Sequence, residues 1–334
     1  MEIAVDLGTA NILVAVRGRG IVLREPSVVA VEQETGRLVA IGDKARQMLG
    51  RTPGSIVATR PLRDGVIADY DITEAMLRYF IAAVTHGRSM TRPRVMICIP
   101  TGATGAERRM VREAAQNAGA GKVELIEEPL AAALGVGLDI SRASGHMVVD
   151  IGGGTTDVAV LSLGGMAASD SVRVGGDAMD QAVAHELKTT YSLAIGERTA
   201  EEVKIQVGTV HPDGRDGVID IRGRDILTGM PRTLALSSSD VRPILMEPAH
   251  LIVDSIRRVL EETPPELLSD ILDKGIWLTG GGSLLHGMPE LISRETGLPA
   301  QCAEDPMSSV ALGTARALDL ELVGRHIVVF KRVI

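Results

Sequence analysis

The sequence predicts an α/β protein built from two similar domains with a ligand cleft between them. Two glycine-rich turns of one design, residues 5–11 and 149–157, each follow an apolar strand that ends in an aspartate. Alternating helices and strands come after both turns, which is typical of a sheet covered by helices. The scheme starts twice, at Asp6 and at Asp150, so it indicates a duplicated domain and not an array with a period of about 20 to 50 residues. We expect a ligand between the two copies.

The first half begins with strands separated by glycine or proline. Breaks at Gly8 and Pro26 divide residues 3–31 into a predicted antiparallel meander. Residues 71–84 carry apolar side chains at the i, i+3, i+4 spacing of a helix. The elements that follow are a strand over 95–99, a helix from about 105 to 118, a strand over 123–126 and a helix opened by Pro129.

The second half repeats this order from Met147. A hairpin over 147–162 leads into a strand that ends near residue 174. Thr199 and Glu202 have the spacing of a capping box, which predicts a helix start at Thr199. The other elements are a helix over 177–191, a strand-rich insertion over about 218–236, a long helix over about 239–262, a strand over 276–279 and a helix after a third glycine turn at 280–282.

Composition narrows the classes of function. The 334 residues are 45% hydrophobic and 23% charged, which is enough for two cores. A net charge of −8 and an aromatic content of 2% argue against nucleic acid as a ligand. Cys98 and Cys302 lie outside any metal-type spacing, so we expect reduced core residues. We find no signal peptide and no membrane-spanning run, so we expect a cytoplasmic protein.

Both acid-ended turns have the chemistry of a site for ATP and magnesium. Glycines let backbone N–H groups approach an anion closely, and an aspartate suits a water-clad magnesium ion. A single turn of this kind is equally typical of a plain β-hairpin, but two turns with matched aspartates favour a shared ligand. We expect Asp6 and Asp150 to hold magnesium through its waters. The residues expected to wrap the β- and γ-phosphates are Gly8, Thr9, Ala10, Asn11, Gly152, Gly153, Gly154 and Thr155.

These motifs resemble those of the actin-like ATPase superfamily, which includes actin, heat-shock chaperones and sugar kinases. Within it, the chain is similar to the MreB/Mbl family of bacterial actins from residue 3 to about residue 320. The matching stretches are residues 6–11, 24–30, 50–54, 64–69, 126–129, 152–157, 196–201, 221–225, 263–267 and 279–282.

The resemblance implies an actin-like fold with two ribonuclease H-like cores around a nucleotide cleft. Domain I would comprise residues 1–141 and 306–334, with a small subdomain at about 32–69. Domain II would comprise residues 142–305, with a small subdomain at about 178–240. Apolar residues between Val310 and Leu318 suit a helix that returns to pack on domain I.

The resemblance also implies roles for residues outside the two turns. In the family's Glu-Pro element, Glu128 would position the attacking water, and Thr155 would add a hydroxyl nearby. A simpler interpretation is that Glu127 and Glu128 complement the helix dipole. Glu202 is already explained by the capping box. Contacts to the adenosine and the α-phosphate would come from Glu201, Glu202, Val203, Lys204, Gly280, Gly281, Gly282 and Ser283.

The function implied is an ATP-hydrolysing bacterial actin whose filaments, paired and antiparallel, lie on the inner face of the membrane. Such filaments guide cell-wall synthesis and cell shape together with membrane proteins of wall elongation. A non-polymerising nucleotide-dependent scaffold and a small-molecule kinase stay open as alternatives. Only about 50 residues follow Gly282, which leaves no room for a chaperone's peptide-binding domain.

Membrane contact is where the sequence departs from its relatives. Many of them use an N-terminal amphipathic helix, and nothing precedes Glu2 that would form one. Other relatives use a loop that carries two adjacent bulky apolar residues. The corresponding loop here, at about 86–93, offers only Met90 between Arg88 and Arg92, so we expect weak attachment to the membrane. An apolar tail at 327–330, followed by Lys331 and Arg332, is a second candidate contact, although a strand docked on the core explains it equally well.

Overall fold

Two five-stranded sheets with identical topology form the framework of the molecule. The computed structural model describes residues 1–85, 92–211 and 213–322. In the first half the elements are β1 (Glu2–Leu7), β2 (Asn11–Val16), β3 (Gly20–Pro26), β4 (Val29–Glu32), β5 (Leu38–Ile41), α1 (Asp43–Arg46), β6 (Ile56–Thr59), β7 (Leu62–Arg63), β8 (Val66–Ile67), α2 (Tyr70–Thr85), β9 (Arg94–Ile99), α3 (Gly105–Asn117), β10 (Lys122–Glu127) and α4 (Glu128–Val136).

The second half follows with the same succession of strands and helices. Its elements are β11 (His146–Ile151), β12 (Thr156–Ser162), β13 (Gly165–Val172), α5 (Gly176–Thr189), β14 (Leu193–Ala194), α6 (Glu197–Val207), β15 (Val218–Asp225), β16 (Pro231–Ser237), α7 (Ser238–Glu262), α8 (Pro265–Lys274), β17 (Ile276–Thr279), a 3₁₀ helix (Gly281–Leu284), α9 (Met288–Thr296), β18 (Ala300–Cys302) and α10 (Ser309–Leu322).

Strand order confirms the predicted duplication. The first sheet runs β10-β9-β1-β2-β3, and the second, taken from its parallel edge, runs β18-β17-β11-β12-β13. In each sheet the first strand is antiparallel to the second and parallel to a strand that arrives later in the chain. The glycine turns therefore lie at equivalent positions, between β1 and β2 and between β11 and β12.

Two helices, α4 and α10, lie between the sheets and share a core with both. Ala4 of the first sheet and Val148 of the second belong to one buried cluster that includes residues of both helices. The helices cross closely because glycines occupy the crossing. A Cβ added to Gly135 would lie 1.8 Å from the carbonyl oxygen of Ser309, and one on Gly313 would lie 1.6 Å from that of Ala131.

Each half also carries a smaller sheet. The first is β5-β4-β6 and the second is β14-β15-β16, so the predicted strand-rich insertion at 218–236 is a hairpin. The predicted meander over 3–31 is wrong at its last strand, because β4 pairs with β5 and β6 and not with β3. Val28 and Ala30 instead pack with Ala45 in a separate small core.

The predicted capping box at Thr199 is also wrong. Helix α6 begins at Glu197 with Gly196 as its N-cap and no side-chain cap hydrogen bond. Because Gly196 is already extended at this point, Thr199 falls within the first turn of the helix. The carboxylate of Glu202 accepts a hydrogen bond from Arg198 at 3.2 Å instead. The third glycine turn leads first into the 3₁₀ helix and only then into α9.

The structure describes both cysteines and part of the segments that bear on membrane contact. Cys98 is buried and Cys302 is half-buried, and neither forms a disulfide. Within residues 1–85, 92–211 and 213–322, every helix is too short or too polar to cross a membrane. The proposed membrane contacts around Met90 and in the tail at 327–332 lie outside the described residues. The assignment of residue ranges to domains stays a prediction.

Candidate nucleotide-binding site

A cavity of about 360 Å³ lies where the three glycine turns meet between the two sheets. Its volume is within the range of ligand pockets. The predicted site residues that line it are Asp6, Gly8, Thr9, Ala10, Asn11, Glu128, Asp150, Gly152, Gly153, Gly154, Thr155, Glu201, Lys204, Gly280, Gly281 and Gly282. Three predicted residues do not line it. Glu202 pairs with Arg198, and Val203 and Ser283 are buried in the protein interior.

The two acid-ended turns contact each other closely where they line the cavity. A Cβ added to Gly153 would lie 2.8 Å from the Cβ of Ala10. One added to Gly154 would lie 2.7 Å from Thr9 Oγ1. Thr9 Oγ1 itself accepts a hydrogen bond from the Gly65 N–H at 2.9 Å. The close contact between the turns therefore requires glycine at positions 153 and 154. Mainly backbone atoms remain at the turns to contact a ligand.

Asp6 and Asp150 lie one residue before the ends of the equivalent strands β1 and β11, and both line this one cavity. Asp6 Oδ1 accepts a hydrogen bond from Cys98 Sγ at 3.2 Å, and Asp150 Oδ1 accepts one from Thr279 Oγ1 at 2.6 Å. Desolvation raises the pKa of Asp6 to about 6 and that of Asp150 to about 7. Because burial makes both carboxylates costly to ionise, a cation bound beside them would be favoured.

Glu128 opens α4 directly after β10 and points into the cavity. Pro129 follows at the start of the helix. Desolvation raises the pKa of Glu128 well above its usual range, and the charges of Asp157, Asp150 and Asp6 add to the effect. Its neighbour Glu127 is instead held by Arg108 of α3 at 2.9 Å. The two glutamates therefore have different environments, and only Glu128 lines the cavity.

Three further acidic residues, which the sequence motifs do not predict as site residues, lie near the site. Asp157, opposite Asp150 in the β11–β12 pairing, is fully buried and accepts a hydrogen bond from the Thr101 N–H at 2.7 Å. Asp177 and Asp180 line the cavity at the start of α5. Burial raises the pKa of Asp180 to about 6. Asp157 belongs to the second glycine-rich motif, residues 149–157, whereas no local pattern distinguishes Asp177 and Asp180 from ordinary surface acids on a helix.

Lys204 reaches this second acidic group from α6. Its Nζ donates to Asp180 Oδ2 at 2.9 Å and to the carbonyl oxygen of Gly176 at 3.0 Å. The ammonium group therefore offsets the buried acid of α5 and fixes α6 against the start of that helix. Lys204 also lines the cavity.

Two ion pairs join the halves of the molecule at the mouth of the cavity. Arg46, the last residue of α1, lies 2.8 Å from Glu201 of α6. Arg60 lies 3.8 Å from Glu197, also of α6. Both pairs connect the first half to the small sheet unit of the second. Neither ion pair could be predicted from the sequence, because its two partners are far apart along the chain.

The chain is similar to cell shape-determining proteins of bacteria. It is 52% identical over 318 residues to the cell shape-determining protein Mbl of Bacillus cereus, covering 95% of this chain and 96% of that protein. It is 50% identical over 325 residues to the cell shape-determining protein MreB of Escherichia coli, covering 96% and 93%.

Solved structures agree with this placement. MreB5 of Spiroplasma citri bound to ADP has a TM-score of 0.90 and 36% identity, with 96% of this chain and 98% of that chain covered. The same protein bound to AMPPNP gives the same values. The MamK double helical filament, at 21% identity and a TM-score of 0.79 over 96% and 99% of the chains, shares the fold. The family model described as MreB/Mbl protein matches residues 1–322, and the chain belongs to this family.

Proposed function

We propose that this protein binds ATP and magnesium in its cleft, hydrolyses the ATP and assembles head to tail into filaments. By its family, the filaments would organise cell-wall synthesis and cell shape with membrane proteins of wall elongation, at the inner face of the membrane. The observation that carries the proposal is the meeting of two acid-ended glycine turns, one from each sheet, in a single cavity. The crystallised relative MreB5 is bound to ADP or AMPPNP.

The backbone around the cavity suits a triphosphate. The turns at Gly8 and Gly152 present main chain rather than side chains, and backbone N–H groups are effective donors to phosphate oxygens. The third turn, at Gly280–Gly282, would serve the α-phosphate and the base. Glu201 and Lys204 remain as the adenosine-side contacts on α6, because both line the cavity. Glu202, Val203 and Ser283 lie outside it and would not contact the nucleotide directly.

The donor set also suits magnesium. Asp6 and Asp150 supply hard oxygen ligands near the ends of the two strands, and burial makes both costly to ionise in the absence of a cation. Among the described residues no group of three or more histidines, cysteines or acids is arranged to hold a metal directly. Two carboxylates and the phosphates would therefore hold magnesium with several of its waters retained. The bound ion would neutralise charge on the phosphates.

Hydrolysis requires a water aligned with the terminal phosphate and a group to accept its proton. Glu128 is the candidate because it is a carboxylate that lines the cavity beside both aspartates. Its raised pKa makes it a better proton acceptor once it is ionised. Thr155 lies in the adjacent turn and would orient the water through its hydroxyl. Positioning of this kind supplies much of the rate in phosphoryl transfer.

Self-association is supported by a rigid apolar projection on the second half, the tip turn at residues 226–230. Ile226, Leu227 and Met230 are exposed by 44%, 83% and 64%. Asp225 holds the turn, because its Oδ1 accepts from the Leu227 N–H at 3.0 Å and from the Thr228 N–H at 2.9 Å. A fixed turn that exposes three large apolar side chains is typical of a contact surface.

The complementary surface lies at the other end of this half, on helix α8. Leu268 and Leu272, one helical turn apart, are exposed by 37% and 60%. From the tip turn the chain runs down β16 and then along the 25 residues of α7 before it reaches α8. Helix α7 alone spans about 37 Å at 1.5 Å per residue, so the chain separates the two surfaces by a long helix.

Charge supports the same pairing. Arg222 and Arg224 are exposed beside the tip turn, whereas exposed acids surround α8. These acids are Glu261, Glu262, Glu266 and Asp273. A basic apolar projection at one end and an acidic apolar face at the other suit a heterologous contact, which propagates because it does not close.

The test is to mix purified protein with ATP and magnesium and to measure pelleting and phosphate release on the same sample. We expect polymer that forms with ATP and a slow release of phosphate. Protein that binds ATP but stays monomeric across concentration, salt and anionic lipid would instead support the scaffold alternative. Phosphate transfer that depends on an added small-molecule acceptor would support the kinase alternative.

The ion pairs at the cleft mouth predict a role in nucleotide release. Replacing Arg46 by alanine removes the 2.8 Å contact with Glu201, so we expect ADP to dissociate about 2- to 5-fold faster, the effect of a partly exposed ion pair. Stopped-flow release of a fluorescent ADP analogue measures this. Arg37→Ala is the matched control, since Arg37 pairs with Glu32 within the first half. Arg46→Glu, which faces Glu201 with a like charge, should speed release at least as much, and a rate of ADP release in Arg46→Ala equal to that of the parent protein would exclude the role.

A further inference from the structure

Each of the two aspartates at the site accepts a hydrogen bond from a side chain on the neighbouring parallel strand. Cys98 of β9 donates to Asp6 through Sγ at 3.2 Å. Thr279 of β17 donates to Asp150 through Oγ1 at 2.6 Å. Both donors are buried, at 2% and 0% exposure. Neither residue lines the cavity, so each would act on a ligand only through its aspartate.

The two donors occupy the same place in the duplicated fold. Strand β9 lies parallel to β1, with Val5 opposite Ile97, so Asp6 and Cys98 are the next residues on the two strands. Strand β17 lies parallel to β11, with Asp150 opposite Thr279. Two independent copies of one sheet thus place a hydrogen-bond donor beside the acid at the carboxyl end of the central strand.

Packing alone does not explain these residue types. The residues before them in the two strands are apolar and buried, Ile97 beside Cys98 and Leu278 beside Thr279. Valine has nearly the shape of threonine and would fill the same space without a buried hydroxyl, which is costly unless it is hydrogen-bonded. The hydroxyl of Thr279 is satisfied by Asp150, so its presence is linked to the orientation of that carboxylate.

We propose that Cys98 and Thr279 are equivalent positioning residues that fix the orientation of Asp6 and Asp150 toward the magnesium ion of the bound nucleotide. This inference rests on the proposed nucleotide site. Groups that hydrogen-bond metal-holding carboxylates commonly change metal affinity by about 10- to 100-fold. A thiol is a weaker donor than a hydroxyl, so Asp150 is held firmly and Asp6 is held loosely.

The experiment measures how much magnesium the full-length protein needs to bind AMPPNP tightly, alongside AMPPNP affinity in excess EDTA. For Thr279→Val we expect the half-saturating magnesium concentration to rise about 10- to 100-fold. Thr279→Ser, which keeps the hydroxyl, should stay within about 3-fold of the parent protein. Affinity in EDTA should be unchanged for both, because the proposed effect acts only through magnesium.

Variants of Cys98 test the equivalent position in the first sheet, and they do so even if Thr279→Val fails to fold. Cys98→Ala should raise the magnesium requirement by a smaller factor, about 2- to 5-fold, and Cys98→Ser should equal or improve on the parent protein because a hydroxyl is the better donor. The proposal is overturned if the serine variants are as weak as Val and Ala, or if affinity in EDTA falls equally. A parent protein that binds AMPPNP without any magnesium dependence would overturn the proposed function itself.

Discussion

Replacing Glu128 by glutamine is expected to lower ATP turnover by at least about 100-fold, the usual contribution of a general base, with ATP affinity within a few-fold of the parent protein. Glutamine keeps the size and the hydrogen bonds of the side chain but cannot accept a proton. Because Glu128 lines the cavity beside the two aspartates, its loss should affect the attacking water and not the phosphates. Phosphate release and equilibrium binding of a fluorescent ATP analogue measure the two effects separately.

Glu127→Gln is the matched control for this experiment. It makes the same chemical change one residue earlier, where the carboxylate is held by Arg108 at 2.9 Å and lies outside the cavity. We expect turnover to be nearly normal in this variant. Equal losses in both variants would show that the charge at the start of α4, and not proton transfer by Glu128, is what matters.

The pH dependence of turnover gives a second readout. Desolvation and nearby carboxylates raise the pKa of Glu128, and only the ionised form accepts a proton. Turnover of the parent protein should therefore increase with pH until Glu128 is ionised, and the residual turnover of Glu128→Gln should lack this limb. A parent protein whose turnover falls over the same range would contradict the assignment of Glu128 as the base.

Much of the fold could be predicted because its signals are local. Each sheet begins with an apolar strand, an aspartate and a glycine turn, and the strands and helices that follow have clear periodicity. The error at Thr199 has a local cause as well. Two overlapping start signals compete there, and the extended Gly196 starts the helix before the Thr-x-x-Glu spacing is reached.

The site was predictable only where one short motif carries the chemistry. Asp6 and Asp150 each lie two residues before the glycine that follows a strand, and Glu128 lies between a strand and a proline, so their positions are evident. Cys98 and Thr279 contact their aspartates through strand pairing across about 90 and 130 residues, and that register cannot be derived from either strand alone. The pair Arg46 and Glu201 depends on how closely the two halves approach, which is a property of the whole fold.

Filament assembly should be abolished by Leu227→Asp at the tip turn and equally by Leu272→Asp on α8. Leu227 is 83% exposed and Leu272 is 60% exposed, so neither change should destabilise the monomer. Each places a charge in a contact that would otherwise bury apolar surface, where an unpaired charge is costly. Pelleting with ATP and magnesium measures assembly, and binding of a fluorescent ATP analogue verifies that the cleft is intact. Leu251→Asp is the control, because Leu251 is 48% exposed on α7, away from both surfaces.

Mixing the two variants distinguishes a head-to-tail contact from other kinds of assembly. The Leu227→Asp chain keeps a normal α8 and the Leu272→Asp chain keeps a normal tip turn, so one of each can join through a single intact contact. Neither chain can extend that pair, because the remaining surfaces both carry the charge. We therefore expect a dimer of twice 35.3 kDa in the mixture, and monomers in each separate sample. If the tip turn or α8 instead contacted its own copy, an isologous contact, a variant would carry the charge on both sides of that contact, and mixing would form no dimer that the separate samples lack.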